Sequence, residues 1–132
     1  MRQTFSKDER LRSHRMISKL FAEGSTFFIK PFRITWMKQS QEIPSLLPIQ
    51  VMMSVPKYNF RKAVQRNLIR RRMKEAYRLN KHTVYSHLDE KGHHLVLCIT
   101  YTAKEIVSFD LIQEKIILLL QRLSEENEKV SG

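Results

Sequence analysis

The stretch Leu95-Val96-Leu97-Cys98-Ile99-Thr100-Tyr101 constrains the fold more than any other, because it is apolar on both of the faces between which a strand alternates. Such a strand belongs in the middle of a sheet rather than at its edge, and the turn Asp89-Glu90-Lys91-Gly92 leads into it. Two further strands are predicted upstream. In Phe32-Arg33-Ile34-Thr35-Trp36, apolar and polar residues alternate as in a half-buried strand. From Ile49 to Val55, Ile49, Val51, Met53 and Val55 share one face and Gln50, Met52 and Ser54 the other. The stretch Ser40 to Pro48 reads as a loop, so these two strands are expected to form an antiparallel hairpin.

Three helices are read from apolar spacing. A first helix carries Met16, Ile17, Leu20 and Phe21 on one face and ends near Gly24, read as a left-handed stop. Its start has two candidates, a capping box of Ser6 with Glu9, or Ser13. A long helix covers about Arg61 to Asn80. A last one runs from about Asp110 to Leu123, with Asp110 and Gln113 as a cap pair and Ile112, Ile116, Leu119, Leu120 and Leu123 as its apolar stripe. The order is α-β-β-α-β-α, an α/β (α+β) chain with a single small mixed sheet packed with helices. One domain, 1–132, is expected, with its core at about 10–123 and a tail, 124–132, that lacks periodicity and frays.

The chain carries 24 Lys and Arg against 13 Asp and Glu, a formal charge of +11 on 132 residues. An excess of this size repels itself in a compact state and suits a polyanionic partner, nucleic acid before an acidic membrane surface. Cys98 is the single cysteine, which excludes an internal disulfide or a multi-cysteine zinc site; it reads as a small buried hydrophobe. The N-terminus leads into charge rather than an apolar signal core, and Ile116 to Leu120, the longest apolar run, falls far short of the ~20 residues of a membrane helix. The expectation is a soluble, cytoplasmic protein without a membrane partner.

The helix from Arg61 concentrates the charge. Arg66, Arg70, Lys74 and Arg78 recur every four residues and form one slowly drifting stripe, flanked by Asn67 and Arg71. Val64, Leu68, Ile69, Met73, Ala76 and Leu79 lie on the other side, suited to the sheet, and Glu75 alone opposes the positive charge. Cations at this spacing repel one another and weaken an isolated helix, whereas a solvent face normally mixes signs. Guanidinium forks suit phosphate, and Asn67 can address a base edge or a 2′-hydroxyl.

Ser54-Val55-Pro56-Lys57 ends a strand, and Arg66-Asn67, two residues, Arg70-Arg71, two residues and Lys74 follow at fixed offsets. This resembles the signature of the bacterial ribonuclease P protein family. Arg10-Leu11 before a helix ending Phe21-Ala22-Glu23-Gly24 is similar to the family's N-terminus, and the resemblance covers about Arg10 to Leu123. It departs at Leu68, where the family usually has another arginine, leaving either one basic contact fewer or a contact supplied by Arg72. It departs also at Ile17, where the family often has an aromatic.

The resemblance implies a non-catalytic protein subunit of a ribonucleoprotein endoribonuclease. A catalytic RNA with its Mg2+ hydrolyses the phosphodiester that joins the 5′ leader to precursor tRNA. No side chain is assigned as catalytic or as a metal ligand, and the Mg2+ belongs to the RNA of the holoenzyme. Its partners would be that RNA and precursor tRNA, with no obligate protein partner. Arg66, Asn67, Arg70, Arg71 and Lys74 match the motif facing the catalytic RNA; Arg78, Lys57, Arg61 and Lys62 extend that surface. Ile17, Phe21 and Thr35 correspond to a cleft for single-stranded leader, where an aromatic can stack on a base of any sequence, with Arg33 and Lys57 near it for phosphate. Phe21 taken alone is equally a core residue. The family also implies a left-handed crossover around the basic helix, against the right-handed form of about 98% of parallel crossovers.

Three rivals stand beside this reading. A self-sufficient nuclease would use His93-His94, yet the acidic residues are scattered and adjacent strand residues point to opposite faces. A ribosomal or other structural RNA-binding protein fits the composition, and only the Arg66–Lys74 motif argues against it. A DNA-binding module lacks the short partner helix of a helix-turn-helix and the heptads of a basic zipper.

Overall fold

The computed structural model describes residues 9–39 and 47–131. In chain order the elements are α1 (His14–Glu23), β1 (Ser25–Ile29), β2 (Phe32–Lys38), β3 (Ile49–Ser54), α2 (Ala63–Asn80), α3 (His82–Lys91), β4 (Leu95–Tyr101) and α4 (Phe109–Ser131). The four strands form one mixed sheet in the order β1-β2-β4-β3. Every residue of β4 is buried, and β4 lies between β2, antiparallel, and β3, parallel. The strand apolar on both faces is internal, as expected.

The hairpin expected between β2 and β3 does not form. β4 takes the place between them, since it alone can bury both of its faces there, and β3 pairs with it from Ile49↔Leu95 to Ser54↔Thr100. The hairpin partner of β2 is β1, a strand absent from the sequence reading, in register from Ser25↔Trp36 to Ile29↔Phe32. Ser25–Ile29 follows Gly24 without a loop, and Phe28 puts an apolar residue on its open side, which blurs the alternation.

Helices cover both faces. On one, Phe32, Ile34, Trp36, Val51, Leu97, Ile99 and Tyr101 meet Ile69, Met73, Ala76 and Tyr77 of α2 and the full predicted stripe of α4. On the other, Leu20 of α1 and Leu11 pack on Val96 and Cys98, with Met16, Ile17, Met37 and Met52 around them. Burial pushes the Cys98 thiol up, in keeping with an inert apolar role. The inner side of α2 is shifted from the one predicted: Val64 is exposed, Leu68 and Leu79 are half-buried, and Tyr77 is fully buried.

Ser13 is the cap of α1, its hydroxyl accepting from the Met16 N–H at 3.2 Å; Ser6 lies outside the described residues. Gly24 is extended, with φ −71° and ψ 158°, and is not a left-handed stop. Its reason is proximity: a Cβ there would run into the Leu20 carbonyl oxygen and stand 3.1 Å from both Leu20 Cδ1 and Thr35 Cγ2. The left-handed stop is Gly92, φ 68°, which ends α3. That helix is absent from the sequence reading, and the expected turn Asp89-Glu90-Lys91-Gly92 is its last turn and stop. It lacks a side-chain cap and is rich in His, Thr, Val, Tyr and Ser, weak helix formers; the burial of Val84, Tyr85 and Leu88 holds it. At α4 the Ser108 hydroxyl, rather than Asp110, caps by accepting from the Leu111 N–H at 3.2 Å. Gln113 instead accepts from the Asn80 amide at 3.1 Å. The expected frayed tail is helical to Ser131, and Asn127 is buried with its amide 3.1 Å from His93 Nδ1.

Candidate nucleic-acid interface

The outer face of α2 carries Asn67, Arg70, Arg71, Lys74, Glu75 and Arg78 around one open groove of about 370 Å³. Arg70, Lys74 and Arg78 of the predicted stripe are thus brought together, with Arg66 outside the groove, and they differ in what they have left to offer. Arg71 is exposed. Arg70 donates to Asn67 Oδ1 at 3.1 Å, which fixes Asn67 with its amide N–H groups as the remaining donors. Lys74 is held below the ordinary lysine range by burial first, then by Arg10 and Arg70. A phosphate would relieve that repulsion. Arg10, exposed and delivered by the N-terminal segment, thus joins the cationic surface. From sequence, Arg10 stands out only through the resemblance of Arg10-Leu11 to the family's N-terminus.

Arg78 is forked onto Glu75, with Nε donating to Oε2 at 3.0 Å and Nη2 bonded to Oε1. Arg78's hydrogen bond holds the Glu75 carboxyl below its usual range. The cation at this end of the stripe is partly neutralised. Arg66 points its Nη1 back to the carbonyls of Phe60 and Arg61, at 2.8 and 2.9 Å, and pins the loop before α2. Arg72 donates to the Val107 carbonyl at 2.8 Å, tying α2 to the segment before α4. That bond commits one nitrogen of Arg72, the residue weighed as a substitute for an arginine at position 68, to structure. Lys57, Arg61 and Lys62 are exposed on the loop between β3 and α2.

The second predicted surface lies where α1 meets the sheet. Gly24 seats the end of α1 against Thr35, and Ile17 packs on the cluster around Leu20 of the same helix. Phe21 is 54% exposed and is therefore not a core residue. Ile17 is half-buried in the small cluster around Leu20, and Thr35 is nearly covered, its hydroxyl 3.3 Å from that of Thr26. Arg33 is half-buried and directly opposite Phe28, which is 65% exposed. Phe28 was missed, having been outside any predicted strand.

His93 and His94 are engaged with structure. The Asn127 amide lies against His93 Nδ1, and His94 Nδ1 is 3.3 Å from the Leu47 carbonyl oxygen. Burial, then Lys38 and Lys91, then His87 and His94, hold the His93 imidazole below its ordinary value. Among the described residues no group of three or more His, Cys, Asp or Glu is placed to hold a metal ion, and no helix is long and apolar enough to cross a membrane.

Fold and surface together define a small α+β protein that displays a cationic helix on one side and an aromatic-bearing sheet face on another, the class of a nucleic-acid-binding protein. The family model described as Ribonuclease P matches residues 5–124. The ribonuclease P protein component of Porphyromonas gingivalis is 31% identical over 119 residues, spanning 90% of this chain and 85% of that one. That of Chlorobium phaeobacteroides is 33% identical over 129 residues, spanning 90% and 88%. The solved ribonuclease P protein of Thermotoga maritima superposes with a TM-score of 0.68 at 24% identity, covering 86% of this chain and 96% of that one. The Staphylococcus aureus protein gives 0.67 at 18%, covering 87% and 94%. The chain belongs to the ribonuclease P protein family. It is a ribonuclease P subunit in tRNA processing, and the reading as a ribosomal or other structural RNA-binding protein is not favoured.

Proposed function

We propose that the chain binds the catalytic RNA of ribonuclease P through the outer face of α2 and the 5′ leader of precursor tRNA through the surface between α1 and the sheet. The observation that carries this reading is the α2 groove, where Arg70, Arg71 and Lys74 stand with Asn67 and face a single carboxylate, Glu75. Like charges gathered there destabilise the free protein and are offset when phosphates arrive. Arg66, Lys57, Arg61, Lys62 and Arg78 border the same contact, with Arg66 chiefly shaping it. Phe21 and Arg33 give the leader a ring for stacking and a cation for its backbone, while Ile17 and Thr35 form the floor. Chemistry belongs to the RNA and its Mg2+; the protein acts by positioning, as a cytoplasmic subunit that needs no further protein. The test is reconstitution. Protein freed of RNA should leave precursor tRNA intact, and adding the matching catalytic RNA with magnesium should release a mature 5′ end. Cleavage by protein alone, abolished by His93→Ala or His94→Ala, would overturn this reading in favour of a protein nuclease.

A further inference from the structure

Tyr58 leaves 80% of its surface exposed on the loop between β3 and α2. The loop itself is fixed. Val55 and Phe60 are buried at its two ends, and the Asn59 N–H closes a turn on the Pro56 carbonyl at 3.3 Å. The Phe60 ring lies 5.9 Å from that of Tyr101, and Arg66 holds the carbonyls of Phe60 and Arg61. Tyr58 is thus presented by a braced turn, so a ligand that stacks on it need not order the backbone. Pro56, Lys57, Tyr58 and Arg61 line one open recess, which sets a cation on either side of the ring in sequence. No Asp or Glu occurs between Ile43 and Lys74 to offset them.

Its location adds a second reason. Phe28↔Arg33, Arg33↔Thr100 and Thr100↔Ser54 are successive partners across the sheet, a row of roughly 14 Å at ~4.8 Å per strand step. The loop carrying Tyr58 leaves from the Ser54 end of that row and delivers the chain into α2. Tyr58 therefore lies on the connection that leads from the strand row of Phe28 and Arg33 into the cationic helix.

We propose that Tyr58 is a stacking post for an unpaired RNA nucleotide, with Lys57 and Arg61 holding the phosphates on either side of it. The proposal rests on the RNA-binding reading above and adds a contact to it. A flat ring flanked by cations accepts any base, through its π-face and the backbone charge together. The nucleotide belongs either to the catalytic RNA or to the leader, and the experiment separates the two.

The full-length protein is compared with Tyr58→Ala, Tyr58→Leu and Tyr58→Phe. One arm measures affinity for the catalytic RNA of the same organism. The other measures affinity of the assembled holoenzyme for precursor tRNA with a long or a one-nucleotide leader. Tyr58→Ala and Tyr58→Leu should bind about tenfold more weakly in one arm while Tyr58→Phe binds like the parent, because a stacking contact needs the ring and not the hydroxyl or mere apolar area. Loss in the first arm places the nucleotide in the catalytic RNA; loss confined to the long leader places it there. Tyr58→Trp should lose fluorescence on RNA binding beyond the response of the parent, whose one tryptophan, Trp36, is buried. Tyr58→Ala binding like the parent in both arms overturns the stacking post while the wider reading stands. If Arg70→Ala with Arg71→Ala also binds like the parent, the α2 interface falls and takes this contact with it.

Discussion

Lys81 and Glu9, 72 residues apart in sequence, meet as a buried ion pair in which Lys81 Nζ donates to both carboxylate oxygens, at 2.7 and 2.8 Å. The Tyr85 hydroxyl donates to the same carboxylate at 2.6 Å and is itself 2.8 Å from the Tyr77 hydroxyl. Burial pushes both phenols far above their usual range, so they stay neutral. The cluster clamps the start of the described chain to the junction of α2 and α3, and with the Leu11 N–H bond to the Val51 carbonyl it brings Arg10 to Lys74. Removing one partner strands the other charge. Lys81→Met should therefore lower unfolding free energy by about 3–5 kcal/mol, and adding Glu9→Leu should recover much of it. Chemical denaturation of the two variants checks this; a single variant as stable as the parent would show that the pair is not a clamp.

The two glycines at helix ends should fail differently. Gly24→Ala forces backbone or Thr35 to move, at about 1–3 kcal/mol, and tilts α1 on the sheet, so long-leader affinity should drop as well. Gly92→Ala places a side chain at a left-handed φ, about 1–2 kcal/mol, and should leave leader affinity unchanged. Thermal melts paired with binding titrations separate the two.

Salt dependence should sort the arginines of α2. Arg70→Ala and Arg71→Ala should each flatten the log–log slope of RNA affinity against salt by roughly 0.7–0.9 with the fold intact. Arg72→Ala should keep the slope and instead cost about 1–2 kcal/mol of stability, because its hydrogen bond goes to Val107. A slope unchanged in the Arg70, Arg71 double variant would remove this helix from the interface.

Phe21→Ala should melt within about 0.5 kcal/mol of the parent, since the ring is largely exposed. It should lose affinity for precursor tRNA with a long leader, not a one-nucleotide leader, and still assemble with the catalytic RNA. Equal loss for both leaders would remove Phe21 from a leader site.

How much of this was legible depends on whether a residue's role is local. The cationic spacing of α2 and the stripe of α4 follow from period alone and reappear in the structure. The pairing of β3 was not legible, because alternation reports which face is buried and not which strand lies alongside. The assignment of Arg72 to Val107, 35 residues away, and of Glu9 to Lys81 depends on tertiary approach that no spacing encodes. Gly24 was legible as a glycine site, but for the wrong reason: the sequence marks a left-handed helix end, whereas the glycine is required by crowding from the Leu20 carbonyl and from Thr35, the latter on another element.

The place of β4 between β2 and β3 also sets an order on synthesis. A chain growing from its N-terminus makes both outer partners and the whole cationic helix before their shared neighbour exists. Until Leu95–Tyr101 emerges, the hairpin of β1 and β2 is the one pairing between the described strands open to it, and an isolated hairpin is marginal in water. The cationic helix is thus made before it has a sheet to lie on, and its seating waits on the last third of the chain.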